Sequence, residues 1–131
     1  TEKKIKMRIG FLILISMITA SCSLEEENTA DPVFCTEEAR PALEITVVSS
    51  STDEPITEDI EVIAVDGDYE ESLENYQGSS TFVGAYERDG TYTILIYKSG
   101  YVSYNSINPI IVDKDICHVI TERRTIRLQP D

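Results

Sequence analysis

From Ala42 to the C-terminus the apolar residues recur in short runs of period two, and no stretch keeps a helical period over ten residues. Successive side chains of a strand leave opposite faces, so a chain patterned this way buries its apolar positions only by pairing strands and stacking sheets. Leu43, Ile45 and Val47 alternate with Glu44 and Thr46, the pattern of a half-buried strand. The cluster Ser49–Pro55 turns the chain. Ile60, Val62 and Ala64 on one face and Ile63 and Val65 on the other predict a central strand that stops at Asp66-Gly67-Asp68. Residues 68–80 are polar and are expected to be irregular. Thr81–Tyr86 predicts a third strand, and Glu87-Arg88-Asp89-Gly90 a hairpin turn with positive φ at Gly90. Thr91–Lys98 carries the strongest signal, with Tyr92, Ile94 and Ile96 facing one way and Leu95 and Tyr97 the other. After a turn at Ser99-Gly100, the runs Tyr101–Tyr104, Ile107–Val112, Ile116–Thr121 and Thr125–Leu128 complete the set. Seven or so short strands with a turn every ~8–12 residues predict an all-β fold, a seven-stranded antiparallel sandwich once the shortest runs are joined or set aside.

The N-terminus obeys a different logic. Lys3, Lys4, Lys6 and Arg8 precede the apolar run Ile9–Ala20. That run is too short for a membrane span, which needs about 20 residues, and suits a secretory leader over 1–21. It ends in Thr19-Ala20-Ser21-Cys22, which resembles the lipobox of bacterial lipoproteins, with Thr19 where Leu is usual. The resemblance implies a lipidated Cys22, a protein held to a membrane of the bacterial cell envelope, and a place at the outer membrane or cell surface. Each buried CH₂ of the acyl chains would contribute about 0.8 kcal/mol to anchoring. The competing readings are a plain secretory signal and an uncleaved membrane helix. The sequence opens at Thr1, and translation is expected to start at Met7 or upstream.

The leader holds four of the eleven basic residues and one of the 24 acids, leaving seven against 23 and a net charge of −16 on residues 22–131. Such a surface repels phosphates and argues against nucleic acid as a partner. Residues 22–37 lack periodicity and carry Glu25-Glu26-Glu27, as expected of an acidic tether that extends by self-repulsion. An acidic cluster after the lipid cysteine also resembles a surface-export signal of Bacteroidetes lipoproteins. Residues 38–131 are then one domain with a thin core.

With Cys22 given to lipid, Cys35 and Cys117 remain, and an exported chain with one pair left is expected to form one disulfide. The competing reading is a metal site on Cys35, Cys117 and His118, one ligand short of a structural zinc set.

Four segments carry a family resemblance: Gly90-Thr-Tyr-Thr-Ile-Leu-Ile-Tyr-Lys-Ser-Gly-Tyr101, Cys35-Thr-Glu-Glu-Ala-Arg-Pro41, Asp53-Glu54-Pro55 and Asp115-Ile-Cys-His-Val119. Together they resemble the carboxypeptidase regulatory-like domains, in a bacterial subgroup whose cysteine pair is bridged, over residues 35–130. The resemblance implies a transthyretin-like (prealbumin-like), Ig-like Greek-key sandwich. It implies no peptidase activity, since the domain is an appendage of the catalytic one and this sequence has no His-x-x-Glu pair. The C-terminus, Arg127-Leu-Gln-Pro-Asp131, also departs from the Tyr-Arg-Gly-Ser ending of hydroxyisourate hydrolases.

Candidate sites are few. His118 is the only histidine and could serve as a general base, though strand packing accounts for it as well. Asp66, Asp68 and Glu70 offer oxygens for calcium without EF-hand spacing. Tyr86, Tyr97 and Tyr104 are expected on one exposed face, suited to a sugar or peptide. The expected function is a non-catalytic binding or structural accessory module, needing no cofactor, anchored through Cys22 and meeting a protein or glycan. The alternatives are a calcium-dependent adhesion or envelope component and a small hydrolase-like enzyme.

Overall fold

A computed structural model describes residues 32–131. The leader, Cys22 and the tether up to residue 31 lie outside the described residues. Nine strands follow in order: β1 Leu43–Ser49, β2 Ile60–Asp66, β3 Tyr69–Ser72, β4 Glu74–Asn75, β5 Thr81–Gly84, β6 Gly90–Lys98, β7 Tyr104–Asn105, β8 Ile110–Val112 and β9 Glu122–Leu128. They form a β-sandwich of two sheets. One has the order β4-β5-β1-β9; the other has the order β3-β2-β6-β7, with β8 also pairing β6. Among the described residues there is no helix.

The core lies where the period-two patterns place it. Leu43, Ile45 and Val47 of β1 meet Val62 and Ala64 of β2 and Tyr92, Ile94 and Ile96 of β6, all at most 1% exposed. At roughly 1.5–3 kcal/mol for each fully buried large apolar side chain, these alternations dominate the folding free energy. β2 is central as expected, paired on one side with β3 and on the other with β6 in the register Ile63↔Leu95.

Five features depart from the sequence-based expectation. The polar stretch 68–80 contains β3 and β4. Both are edge strands with one partner each, so they need little apolar alternation; only Leu73 between them is fully inward. The segment Glu87–Gly90 is not a hairpin, because β5 and β6 belong to different sheets. The left-handed backbone falls on Ala85 and Glu87 (φ 52° and 53°), not on Gly90. Gly90 is needed for space: a Cβ there would collide with the Asp66 carboxylate. Third, the run Ile116–Thr121 is a loop, not a strand. The Asp115 carboxylate accepts the N–H groups of Cys117 and His118 at 2.8 Å each, folding the chain back on itself and leaving Ile116 78% exposed. Fourth, Tyr101–Tyr104 reduces to an isolated bridge, Tyr101 to Pro130, and the start of β7. Fifth, β1 and β9 run parallel, Leu43↔Glu122 to Ser49↔Leu128. The two strands come from opposite ends of the domain's sequence, so no tight turn constrains their direction.

β7 and β8 share one edge of β6. Between them Ser106 replaces a missing rung: Ile94 N–H donates to Ser106 Oγ (2.9 Å), and Ser106 N–H donates to the Ile94 carbonyl (3.0 Å). Residues Phe34–Asp131 form one compact unit, so the end of the expected tether, Phe34–Glu37, belongs to it.

Candidate functional site

Cys35 and Cys117 are bridged, with Cα atoms 5.2 Å apart across 82 positions of sequence. The bond overturns the metal reading of Cys35, Cys117 and His118, because neither sulfur is left as a thiolate. It also brings a polar cluster together. Glu87, on the crossing between β5 and β6, accepts the Arg40 N–H (2.8 Å) and His118 Nδ1–H (2.7 Å) at Oε1, and the Val119 N–H (3.2 Å) at Oε2. An ionised carboxylate can only accept, so His118 carries a proton on Nδ1. Nε2 lies 2.9 Å from the Thr36 hydroxyl, accepting from it when the ring is neutral and donating to it when the ring is an imidazolium. The Arg40 N–H and the other donors hold the Glu87 carboxyl below its ordinary range. Main-chain N–H groups of His118 and Cys117 do the same for Asp115. The cluster therefore clasps three segments that are far apart in sequence: the irregular segment leading from Cys35 to β1, the β5–β6 crossing and the 113–121 loop.

Thr36, His118 and Glu87 thus stand in the order hydroxyl, imidazole, carboxylate. The sequence showed His118 but not this partnership, since the partners lie 82 and 31 positions away. Nothing local in the sequence announces it.

A second cluster closes the sandwich at Gly90. The Tyr92 ring is fully buried, and its hydroxyl donates to the Arg88 carbonyl (2.6 Å) and accepts from Arg88 Nη1 (3.0 Å). The Arg88 guanidinium lies 3.8 Å from the Tyr69 ring centroid and bonds Asp66 Oδ2 at 2.9 Å. Burial, then the bond to Glu71, pushes the Tyr69 phenol up to about 12. Asp66, the first calcium candidate, is thus engaged by Arg88. Asp68 sits in the β2–β3 turn and Glu70 points outward opposite Val65. The three are not brought together, and among the described residues no group of three His, Cys, Asp or Glu is arranged to hold a metal ion.

The tyrosines divide. Tyr97 points outward from β6 and is 45% exposed, whereas Tyr104, paired with the buried Ile96, packs against the core from the opposite face. Tyr86 follows β5 in the other sheet and shares a hydroxyl–hydroxyl bond of 3.0 Å with Tyr76. The expected common face of Tyr86, Tyr97 and Tyr104 does not form, because alternation separates Tyr97 from Tyr104 and the sheet crossing removes Tyr86. The pair that does form is Tyr76 with Tyr86, and the bond to Tyr76 raises the Tyr86 phenol to about 12.

Tyr76 borders an open groove of about 500 Å³ between the β4–β5 loop and Thr57–Glu58. Two smaller features flank β9. One is a polar floor made by Thr81, Thr46 and Thr125 on adjacent strands; the other is a hollow between Arg40 and Thr121. Their arginines are engaged, Arg123 with Glu44 and Arg40 with Glu38. Comparison of the sequence with protein-family models and with curated proteins gave no match.

Proposed function

We propose that this chain is a lipid-anchored β-sandwich of the bacterial cell envelope, acting outside the cytoplasm as a non-catalytic binding or structural accessory module. The observation that carries the reading is the Cys35–Cys117 bridge. A single staple across most of the domain persists in oxidising compartments and fits the leader read before Cys22. The carboxypeptidase regulatory-like, transthyretin-like assignment belongs to the same proposal. If β7 and β8 are taken as one interrupted strand and the two-residue β4 is set aside, seven strands remain in sheets of three and four. Metabolic labelling with radioactive palmitate, followed by membrane fractionation, tests the anchor. Label and membrane retention are expected for the native chain and lost in Cys22→Ala. A native chain that is unlabelled and recovered free of membranes sinks the anchor reading.

A small hydrolase is the second reading, favoured by the Thr36–His118–Glu87 order at 2.9 and 2.7 Å. Weighing against it, Glu87 also accepts two main-chain N–H groups, which supports reading the array as a structural clasp. Turnover of p-nitrophenyl acetate that vanishes in both Thr36→Ala and His118→Ala would establish the hydrolase; no turnover by the native chain removes it.

A further inference from the structure

We propose that the groove beside Tyr76 is a binding site for a neutral oligosaccharide. A sugar ring presents an apolar C–H face and a rim of hydroxyls, so its site needs an exposed aromatic ring beside amide, hydroxyl and carboxylate groups. The groove has this composition. Tyr76 is 61% exposed at the lip, and its hydroxyl bonds that of Tyr86, which stands outside the lining of the groove. Gln77, Ser80, Thr57 and Glu58 supply the polar rim.

The site is also held in shape. Ser79 N–H donates to the Tyr76 carbonyl at 2.9 Å, and Gly78 at φ +86° lets that turn place Tyr76 and Gln77 at its lip. Asn75 Nδ2 crosses to the Thr57 carbonyl (3.2 Å), joining the two walls. Behind the second wall, Lys98 Nζ donates to the Glu58 and Asp59 carbonyls at 2.9 and 3.4 Å. Little loop ordering is left to oppose binding.

The chemistry selects among ligands. No Lys or Arg lines the groove, Glu58 does, and residues 22–131 carry a net −16, so anionic glycans and phosphates are repelled. A peptide would need a long free strand edge or a set of apolar pockets. β4 offers two residues of edge, and no aliphatic side chain lines the groove. A volume of about 500 Å³ lies within the ~300–1,000 Å³ of small-ligand sites.

This inference rests on reading the chain as a binding module and is independent of the lipid anchor. The test titrates the full chain with maltohexaose, cellohexaose, xylohexaose and mannohexaose, by calorimetry and by tyrosine fluorescence, which no tryptophan obscures. At least one sugar is expected to bind saturably. Tyr76→Ala should weaken it about tenfold or more, Gln77→Ala several-fold, and Tyr97→Ala on the other sheet should leave it unchanged. Tyr76 is exposed, so its variant is expected to melt like the native chain. Absence of binding to all four sugars at about 10 mM, or equal loss in Tyr76→Ala and Tyr97→Ala, overturns the proposal. The two readings fail separately: an unlabelled Cys22 with sugar bound removes the anchor alone, and a labelled Cys22 with no sugar bound removes the groove alone.

Discussion

The clasp beneath the disulfide and the groove beside Tyr76 are both loop-built and polar, yet they use their groups in opposite ways. In the clasp Glu87 accepts three donors from the chain itself, and His118 spends both ring nitrogens on Thr36 and Glu87. In the groove the bonds of Asn75 and Lys98 reach main-chain carbonyls of the walls, while Tyr76 stays largely exposed. A cluster of chemistry-bearing side chains therefore says little until its hydrogen bonds are assigned: those in the clasp join three distant segments, and those at the groove tie its walls while the Tyr76 ring stays exposed.

Removing the covalent half of the clasp is the largest test of this contrast. Replacing Cys35 and Cys117 together by Ser should lower stability by roughly 4–5 kcal/mol in the chain-entropy model for an 82-position separation, read by urea unfolding. A loss below ~1 kcal/mol would mean that the noncovalent bonds suffice. His118→Ala comes next, at about 1–2 kcal/mol, since it leaves Glu87 and Thr36 each short of a partner. If sugar binding fell with it, the two regions would not be independent.

Acid tests the same clasp. Glu87 and Asp115 titrate below the ordinary carboxylate range in the folded chain, held there by main-chain N–H groups, first that of Arg40 for Glu87 and that of His118 for Asp115. The unfolded chain takes up protons first as pH falls. The stability they add is therefore complete above the ordinary carboxylate range and is lost as pH drops through their depressed folded values. Urea midpoints should decline from about pH 5 downward, and Glu87→Gln should flatten that decline.

Alkali probes the tyrosines. Tyr69 and Tyr86 ionise near 12 when folded and near 10 when unfolded. Their contribution is present below about pH 10 and lost as pH rises through about 12. In an ultraviolet titration Tyr76→Phe should return Tyr86 towards 10 and leave Tyr69 in place. The smallest effect belongs to Tyr76→Ala, expected within about 0.5 kcal/mol of the native stability. A larger loss would make the tyrosine pair part of the fold and blur the line between the two regions.

Much of the fold was legible where burial enforces alternation. β1, β2 and β6 were readable because each lies between two neighbours and sends every second side chain into the core. β3 and β4 were not, since an edge strand such as Tyr69-Glu-Glu-Ser meets the core with few residues. The 113–121 loop misled in the opposite sense. Ile116, Val119 and Ile120 read as strand, but the Asp115 carboxylate offered their backbone a local alternative. Of the candidate tyrosines, Tyr86 and Tyr97 are exposed, but the face joining them with Tyr104 was an assumption that strand parity refutes.

What the sequence determined by itself is local: an all-β chain, its central strands, its acidic surface, and the cysteine pair expected once Cys22 is set aside for lipid. Periodicity and composition act over a few residues, or over the whole chain at once, and so can be read without coordinates. The tertiary structure alone decided that β5 and β6 part into different sheets, that β9 runs parallel to β1, and that Thr36, Glu87 and His118 meet. Those outcomes depend on contacts between residues 31 to 82 positions apart, where the packing of the two sheets, not the neighbouring sequence, selects which groups come together.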